Sequence, residues 1–296
     1  MRLDDEEEST NVEDRRGMGG GFSSGGMPGG ARGVGIGTIV IALAASYFFG
    51  IDPSTVINVA TQMQGSPPPQ EMQSRQPQQA HASDPQTKFI KRVLHSTEQT
   101  WTALFAEQGR QYEPPRLVIF SGRTPTACGT GESAMGPFYC PADSKVYIDL
   151  AFYQDLQNRF HAPGDFAQAY VIAHEIGHHV QHLLGVSAKV QQARQQATQT
   201  QGNALSVKLE LQADCLAGVW AARANEAKQI LDNGDIEEAL TAASAIGDDR
   251  LQQQSRGSVA PDSFTHGSSA QRIRWFKRGI DSGDMNQCNT FKATSL

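Results

Sequence analysis

The stretch VIAHEIGHHVQHLLG, residues 171–185, gathers four of the chain's eight histidines into one apolar run. His174 and His178 are four residues apart, so on a helix they project from one face on adjacent turns. Two imidazoles so placed can share one tetrahedral ion. Glu175 follows the first of them and lies beside the same point. HEIGH, residues 174–178, is therefore an HExxH arrangement: two ligands plus a carboxylate placed to take a proton from an activated water. The pattern arises by chance in long sequences, so its setting matters. Ala173, Ile176, Gly177 and Val180 make the setting apolar, as an internal helix requires, and Gly177 carries no side chain to hold an ion or neighbour away. His178 and His182 form an alternative clamp, but no carboxylate follows His178. His179 and His182 fit surface or supporting positions better than ligand positions.

A catalytic zinc takes three protein ligands and leaves a fourth position to water. The segment ALSVKLELQADCLAGVWAAR, residues 204–223, predicts a second helix with Asn203 as its N-cap. It carries Glu210 and Asp214, again four apart. Glu210 completes a set of two histidines and one glutamate for a single zinc per chain. Asp214 can accept the free N–H of a ligand histidine and so fix its tautomer. Two solvated acids on a helix surface are the alternative. Leu209, Leu211, Ala213, Cys215 and Leu216 argue against it, because an unpaired buried carboxylate is costly.

The elements that must hold these residues follow from pattern. Asp165 with Gln168 matches a capping box after Pro163-Gly164, and Gly185 a C-terminal stop, bounding a helix over 166–184. Phe89, Val93, Thr97, Trp101, Leu104 and Phe105 share one face of a helix in KFIKRVLHSTEQTWTALFAEQG. RLVIFSG (116–122) and KVYIDL (145–150) predict strands, the latter a candidate edge for pairing with a substrate backbone or a purely structural strand. The turn-rich segment between them holds Cys128 and Cys140, which either staple it or stay as free thiols. Cys215 and Cys288 can pair as well, but connectivity is not legible in sequence. The Gln-rich stretch 186–203 fits either a lid or an exposed helix and turn. The expected class is α+β: a mostly helical domain over 88–296 with a small antiparallel or mixed sheet.

Upstream, the chain changes character. Residues 1–33, with the acidic run DDEEE and the low-complexity GMGGGFSSGGMPGGARG, are expected to be a disordered head. Residues 34–51, VGIGTIVIALAASYFFGI, carry no charge. At ~1.5 Å per residue they reach roughly 27 Å, near the ~30 Å of a bilayer core. A single uncleaved transmembrane helix is the expectation, ahead of a buried soluble helix or a cleaved signal peptide. Arg15, Arg16 and Arg32 precede it, and no Lys or Arg follows until Arg75. The positive-inside rule then puts the N-terminus in the cytoplasm and the bulk of the chain outside, the periplasm of a bacterium. Residues 52–87 are rich in Pro and Gln and suit an extended tether. The formal net charge of −6 excludes the basic footprint of a nucleic-acid binder. None of the four cysteines forms a CxxC pair, which excludes zinc-ribbon and thioredoxin-like readings.

HEIGHHVQHLLG together with ELQADCLAGVW resembles the bacterial neutral zinc metallopeptidase family of YpfJ-type membrane proteins. The paired HExxH and ExxxD motifs are also similar to those of the thermolysin-like clan. The likeness runs along nearly the whole chain, through the Gly-rich head, the single span, ACGTGESAMGPFYCPAD and HGSSAQRIRWFKRG. It implies a zincin-like core in which the two motif helices pack beside the sheet. It further implies that His266 stabilises the tetrahedral oxyanion, since thermolysin-like enzymes use a downstream His or Tyr; a surface loop histidine is the alternative. Arg272 could anchor Asp214, bind a substrate carboxylate, or lie on the surface.

The resulting expectation is a membrane-anchored zinc peptidase that hydrolyses peptide bonds in peptides or proteins, with Glu175 as general base. The competing expectation, from another class, is a catalytically silent zinc-bound scaffold of the cell envelope. The presence of Glu175 favours the enzyme, because a structural site has no use for a base.

Overall fold

The computed structural model describes residues 1–17 and 84–296. The first long helix, α1 (Pro85–Glu107), starts where Asp84 accepts the Thr87 N–H at 2.8 Å and Pro85 supplies a first-turn residue that needs no hydrogen bond. Its buried stripe runs through Ile90, Val93, Leu94, Thr97, Trp101, Leu104 and Phe105. It ends at Gly109, whose φ of 68° continues no helix.

Among the described residues there are six short strands. They are β1 (Val12–Asp14), β2 (Arg116–Phe120), β3 (Arg123–Thr126), β4 (Gly129–Glu132), β5 (Phe138–Cys140) and β6 (Lys145–Asp149). The main sheet has the order β1-β2-β6-β5; β1, β2 and β6 are parallel and β5 is antiparallel to β6. Leu117, Ile119, Val146 and Ile148 enter the large core on one face, while Val118, Phe120 and Tyr147 cluster with Cys140 on the other. β3 and β4 form a separate hairpin. The segment between the two expected strands therefore folds into a hairpin and an edge strand, not one loop. The candidate edge KVYIDL is internal, between β2 and β5; among the described residues the edge on that side is β5.

After α2 (Ala151–Asn158) come α3 (Asp165–Leu183), α4 (Val186–Gln195), α5 (Gln199–Lys228), α6 (Asp235–Ala245), α7 (Asp248–Arg256) and α8 (Ser269–Ser282). α5 is the central helix and packs against α3, α4 and α8. It starts earlier than Asn203 because Thr198 and Gln201 form the capping box. Asn203 instead lies inside the helix and donates to the Asp262 carbonyl at 2.9 Å. The Asp165/Gln168 capping box is likewise not formed. Gly164, with φ 117°, precedes the helix, and the Asp165 carboxylate accepts from the Met1 amino group at 2.8 and 2.9 Å.

That contact corrects the reading of 1–33 as a disordered head for residues 1–17. β1 pairs Val12 with Leu117, Glu13 with Val118 and Asp14 with Ile119. Leu3 is buried in the core, Glu6 pairs with Lys228 at 2.9 Å, and Arg16 binds Asp14 and Asp84. Within the acidic run, Glu6 and Glu8 pair with Lys228 and Lys91 from the helices, while Asp5 and Glu7 stay exposed. Among the described residues, no helix is long and apolar enough to cross a membrane. The apolar run 34–51, the tether up to residue 83 and the rest of the Gly-rich head lie outside the described residues.

Two disulfides cross-link the structure, Cys128–Cys140 and Cys215–Cys288. The second ties α5 to the C-terminal turn Met285–Cys288.

Candidate metal centre

α3 and α5 cross so closely that a side chain at Gly177 would press on the Ala213 carbonyl, with its Cβ only 2.9 Å away. This approach brings three of the predicted donors together. His174 Nε2 lies 3.2 Å from one Glu210 oxygen and His178 Nε2 lies 3.4 Å from the other. One donor atom from each residue falls within 4.8 Å of the other two. Ligands ~2.0–2.1 Å from one tetrahedral ion stand about 3.3 Å apart. The donor set and its spacing fit zinc.

Hydrogen bonds behind the ligands select the tautomers that such an ion needs. His174 Nδ1 lies 2.8 Å from Asp214 Oδ1, an acceptor, so Nδ1 carries a proton and Nε2 is the nitrogen turned toward the donor set. Gln181 does the same for His178. Its amide nitrogen donates to the Leu209 carbonyl at 2.7 Å, so its oxygen faces His178 Nδ1 at 2.9 Å and accepts from it. Gln181, three residues after His178 on the same helix, was missed in the sequence, although that spacing was there to be read.

The charges match the same reading. Burial alone would lower His174, yet the Asp214 carboxylate, with the hydrogen bonds of Asp214 and Glu210, pushes it up to about 10. His178 is raised in the same way by Glu210. Glu210, though largely shielded from water, is held well below the carboxylate range by His178 and by hydrogen bonds from both imidazoles. Two carboxylates that raise two imidazoles call for positive charge, which a divalent ion supplies in place of protons.

Glu175 is buried and lines the cleft beside the donor set. Burial pushes its carboxyl up, and the neighbouring His178 and His174 draw it back. The cleft encloses about 850 Å³ and has apolar walls that include Phe152, Phe160 and Val171. Its other flank comes from Ser187, Val190, Gln191 and Arg194 of α4, so the stretch 186–203 contributes a wall. His266 also faces the cleft, half-exposed. Asp248, at the start of α7, accepts the backbone N–H groups of Thr265, His266 and Gly267 at 2.6–3.0 Å and approaches His266 Nδ1 at 3.3 Å. This anchoring role of Asp248 has no signal in local sequence.

His179, by contrast, points away from the donor set. It donates from Nε2 to the Glu113 carbonyl at 2.7 Å and accepts the Tyr139 hydroxyl at Nδ1. Burial lowers it to about 4 and keeps it neutral, a tie between α3 and β5.

The Cys128–Cys140 bridge closes a loop that contains every cleft residue from Ser133 to Tyr139. Closing a loop of this size constrains the chain by about 3 kcal/mol. Cys128→Ser with Cys140→Ser is expected to destabilise the fold by about that amount, read as a lower melting temperature. The donor set should be unaffected, because none of its residues lies in the loop. An unchanged melting temperature would remove the bridge from the stability of this wall.

Two imidazoles one helical turn apart, a glutamate from a second helix and a further glutamate facing an open cleft have the residue types and spacing of the HExxH class of metal-dependent hydrolytic site. A family model described as "Putative neutral zinc metallopeptidase" matches residues 1–291. The chain is 52% identical over 295 residues to YpfJ of Escherichia coli K12, covering 98% of this chain and 99% of that one. It is 48% identical over 195 residues to Mb2605 of Mycobacterium bovis, covering 62% and 65%. No solved structure matches. The chain belongs to the neutral zinc metallopeptidase family.

Proposed function

We propose that this protein is a membrane-associated zinc endopeptidase that binds one zinc per chain through His174, His178 and Glu210. The observation that carries the reading is the convergence of those three donors at the spacing of one ion, with Glu175 beside them on an open cleft. A zinc held by His174, His178 and Glu210 would supply Lewis acidity to the scissile carbonyl and to a water near neutral pH. Glu175 accepts the proton of the attacking water and returns it to the leaving amine. His266, oriented by Asp248, donates a hydrogen bond to the developing oxyanion. An extended peptide lies along Ser133–Tyr139 and the edge strand β5. The packing of α3 and α5 beside the sheet suits a zincin-like core. Membrane association is assigned to residues 34–51. The two disulfides support an oxidising, extracytoplasmic compartment.

The test is cleavage of a mixed-sequence peptide library by the purified full chain. Cleavage is expected, to cease with a zinc chelator, and to return on addition of zinc. Cleavage indifferent to the chelator would discard the metal mechanism. A zinc-loaded protein that cleaves nothing would favour the silent scaffold.

A further inference from the structure

We propose that Arg272 is a positioning residue for the metal centre: its guanidinium locks Asp214 in the one orientation that serves His174, and thereby sets the zinc affinity. The inference rests on the zinc reading above and adds a residue some sixty positions beyond the ligands in sequence.

Asp214 is completely buried on α5, four residues after the ligand Glu210. A lone carboxylate there would be strongly disfavoured. The structure surrounds it with four donors. Arg272 gives two of them, Nε to Oδ2 at 2.9 Å and Nη2 to Oδ1 at 2.8 Å. The Tyr170 hydroxyl donates to Oδ1 at 2.6 Å, and His174 Nδ1 meets the same oxygen at 2.8 Å. A guanidinium that grips both oxygens fixes the carboxylate plane as well as its charge. Arg272 is itself held: Nη2 reaches the Tyr170 hydroxyl at 3.2 Å and Nη1 the Ile246 carbonyl at 3.4 Å.

Three helices meet at this one side chain. Tyr170 and His174 come from α3, Asp214 from α5 and Arg272 from α8. α8 reaches that depth because Gly218 of α5 and Gly279 of α8 let the two backbones touch; a Cβ at either would collide with the other helix. The clamp therefore registers the helix of the ligand histidines against the helix of the ligand glutamate. A carboxylate free to rotate about its own side chain would still be charged, but would not hold Oδ1 against His174.

Arg272→Lys separates geometry from charge. A lysine keeps the positive charge but cannot bridge both oxygens. Partners behind a metal ligand typically matter by 10–100-fold in affinity. Zinc Kd is measured on the full chain by competition with a chromophoric chelator, with the melting temperature of the metal-free protein as a folding check. Arg272→Lys is expected to weaken zinc binding about 10–100-fold and to alter the visible spectrum of the cobalt-substituted protein. Tyr170→Phe, which leaves the Arg272–Asp214 pair intact, is expected to stay within about fivefold of wild type. Wild-type Kd and cobalt spectrum in folded Arg272→Lys would overturn the proposal, as would an equal loss in Tyr170→Phe. Failure of the wild-type chain itself to bind zinc would instead overturn the zinc reading.

Discussion

Glu175→Gln is expected to leave the protein with its zinc and without its peptidase activity. Glu175 sits between the two ligand histidines in sequence but outside the converging donor set, so metal binding does not need it. Its carboxyl faces the cleft in a buried setting that raises its proton affinity, which suits a group that must take a proton and then give it back. Glutamine matches its shape and removes only the ability to accept that proton. General acid–base catalysis contributes about 10²–10⁴-fold, so kcat should fall by roughly that factor with KM little changed. Steady-state kinetics beside metal analysis reads both halves. Activity retained within tenfold would take the general-base role from Glu175, and lost zinc would make it a ligand.

Glu210→Ala is expected to act in the opposite order, removing the metal first and activity as a consequence. Glu210 offers one oxygen to each imidazole, at 3.2 and 3.4 Å, and is the negative member of the donor set. Without it the two histidines remain on one face of α3 with no anionic partner from α5, and a two-ligand site binds zinc weakly. Zinc per chain after dialysis against a mild chelator should drop from near one to a small fraction. The loss in affinity should exceed the 10–100-fold typical of partners that lie behind a ligand. The fold should survive, because Glu210 is partly exposed and the Arg272–Asp214 pair stays in place. Unchanged metal content would require a different third ligand.

The donor set was legible because its parts are local. His174 and His178, and Glu210 and Asp214, are i,i+4 pairs, and a helix turns that spacing into a shared face whatever surrounds it. Gln181 belongs to the same class of signal. Tyr170 and Asp248 do not, and the pairing of Arg272 with Asp214 was legible only as one of three options: these roles depend on which helix lies against which, and a glycine pair between α5 and α8 carries no side chain to announce the contact. The sheet divides in the same way. RLVIF and KVYID are short apolar runs rich in strand-forming residues, whereas β3, β4 and β5 are three or four residues each, set among glycines and prolines that suggest turns. β1 was hidden most completely. Three residues in an acidic, polar stretch have no pattern of their own and become a strand only through a partner about a hundred residues further on.

That partner makes residues 1–14 part of the folded body. β1 lies beside β2, Leu3 fills the core and the Met1 amino group pairs with Asp165. A chain begun after residue 14 would leave β2 as an exposed edge and open the core beneath it.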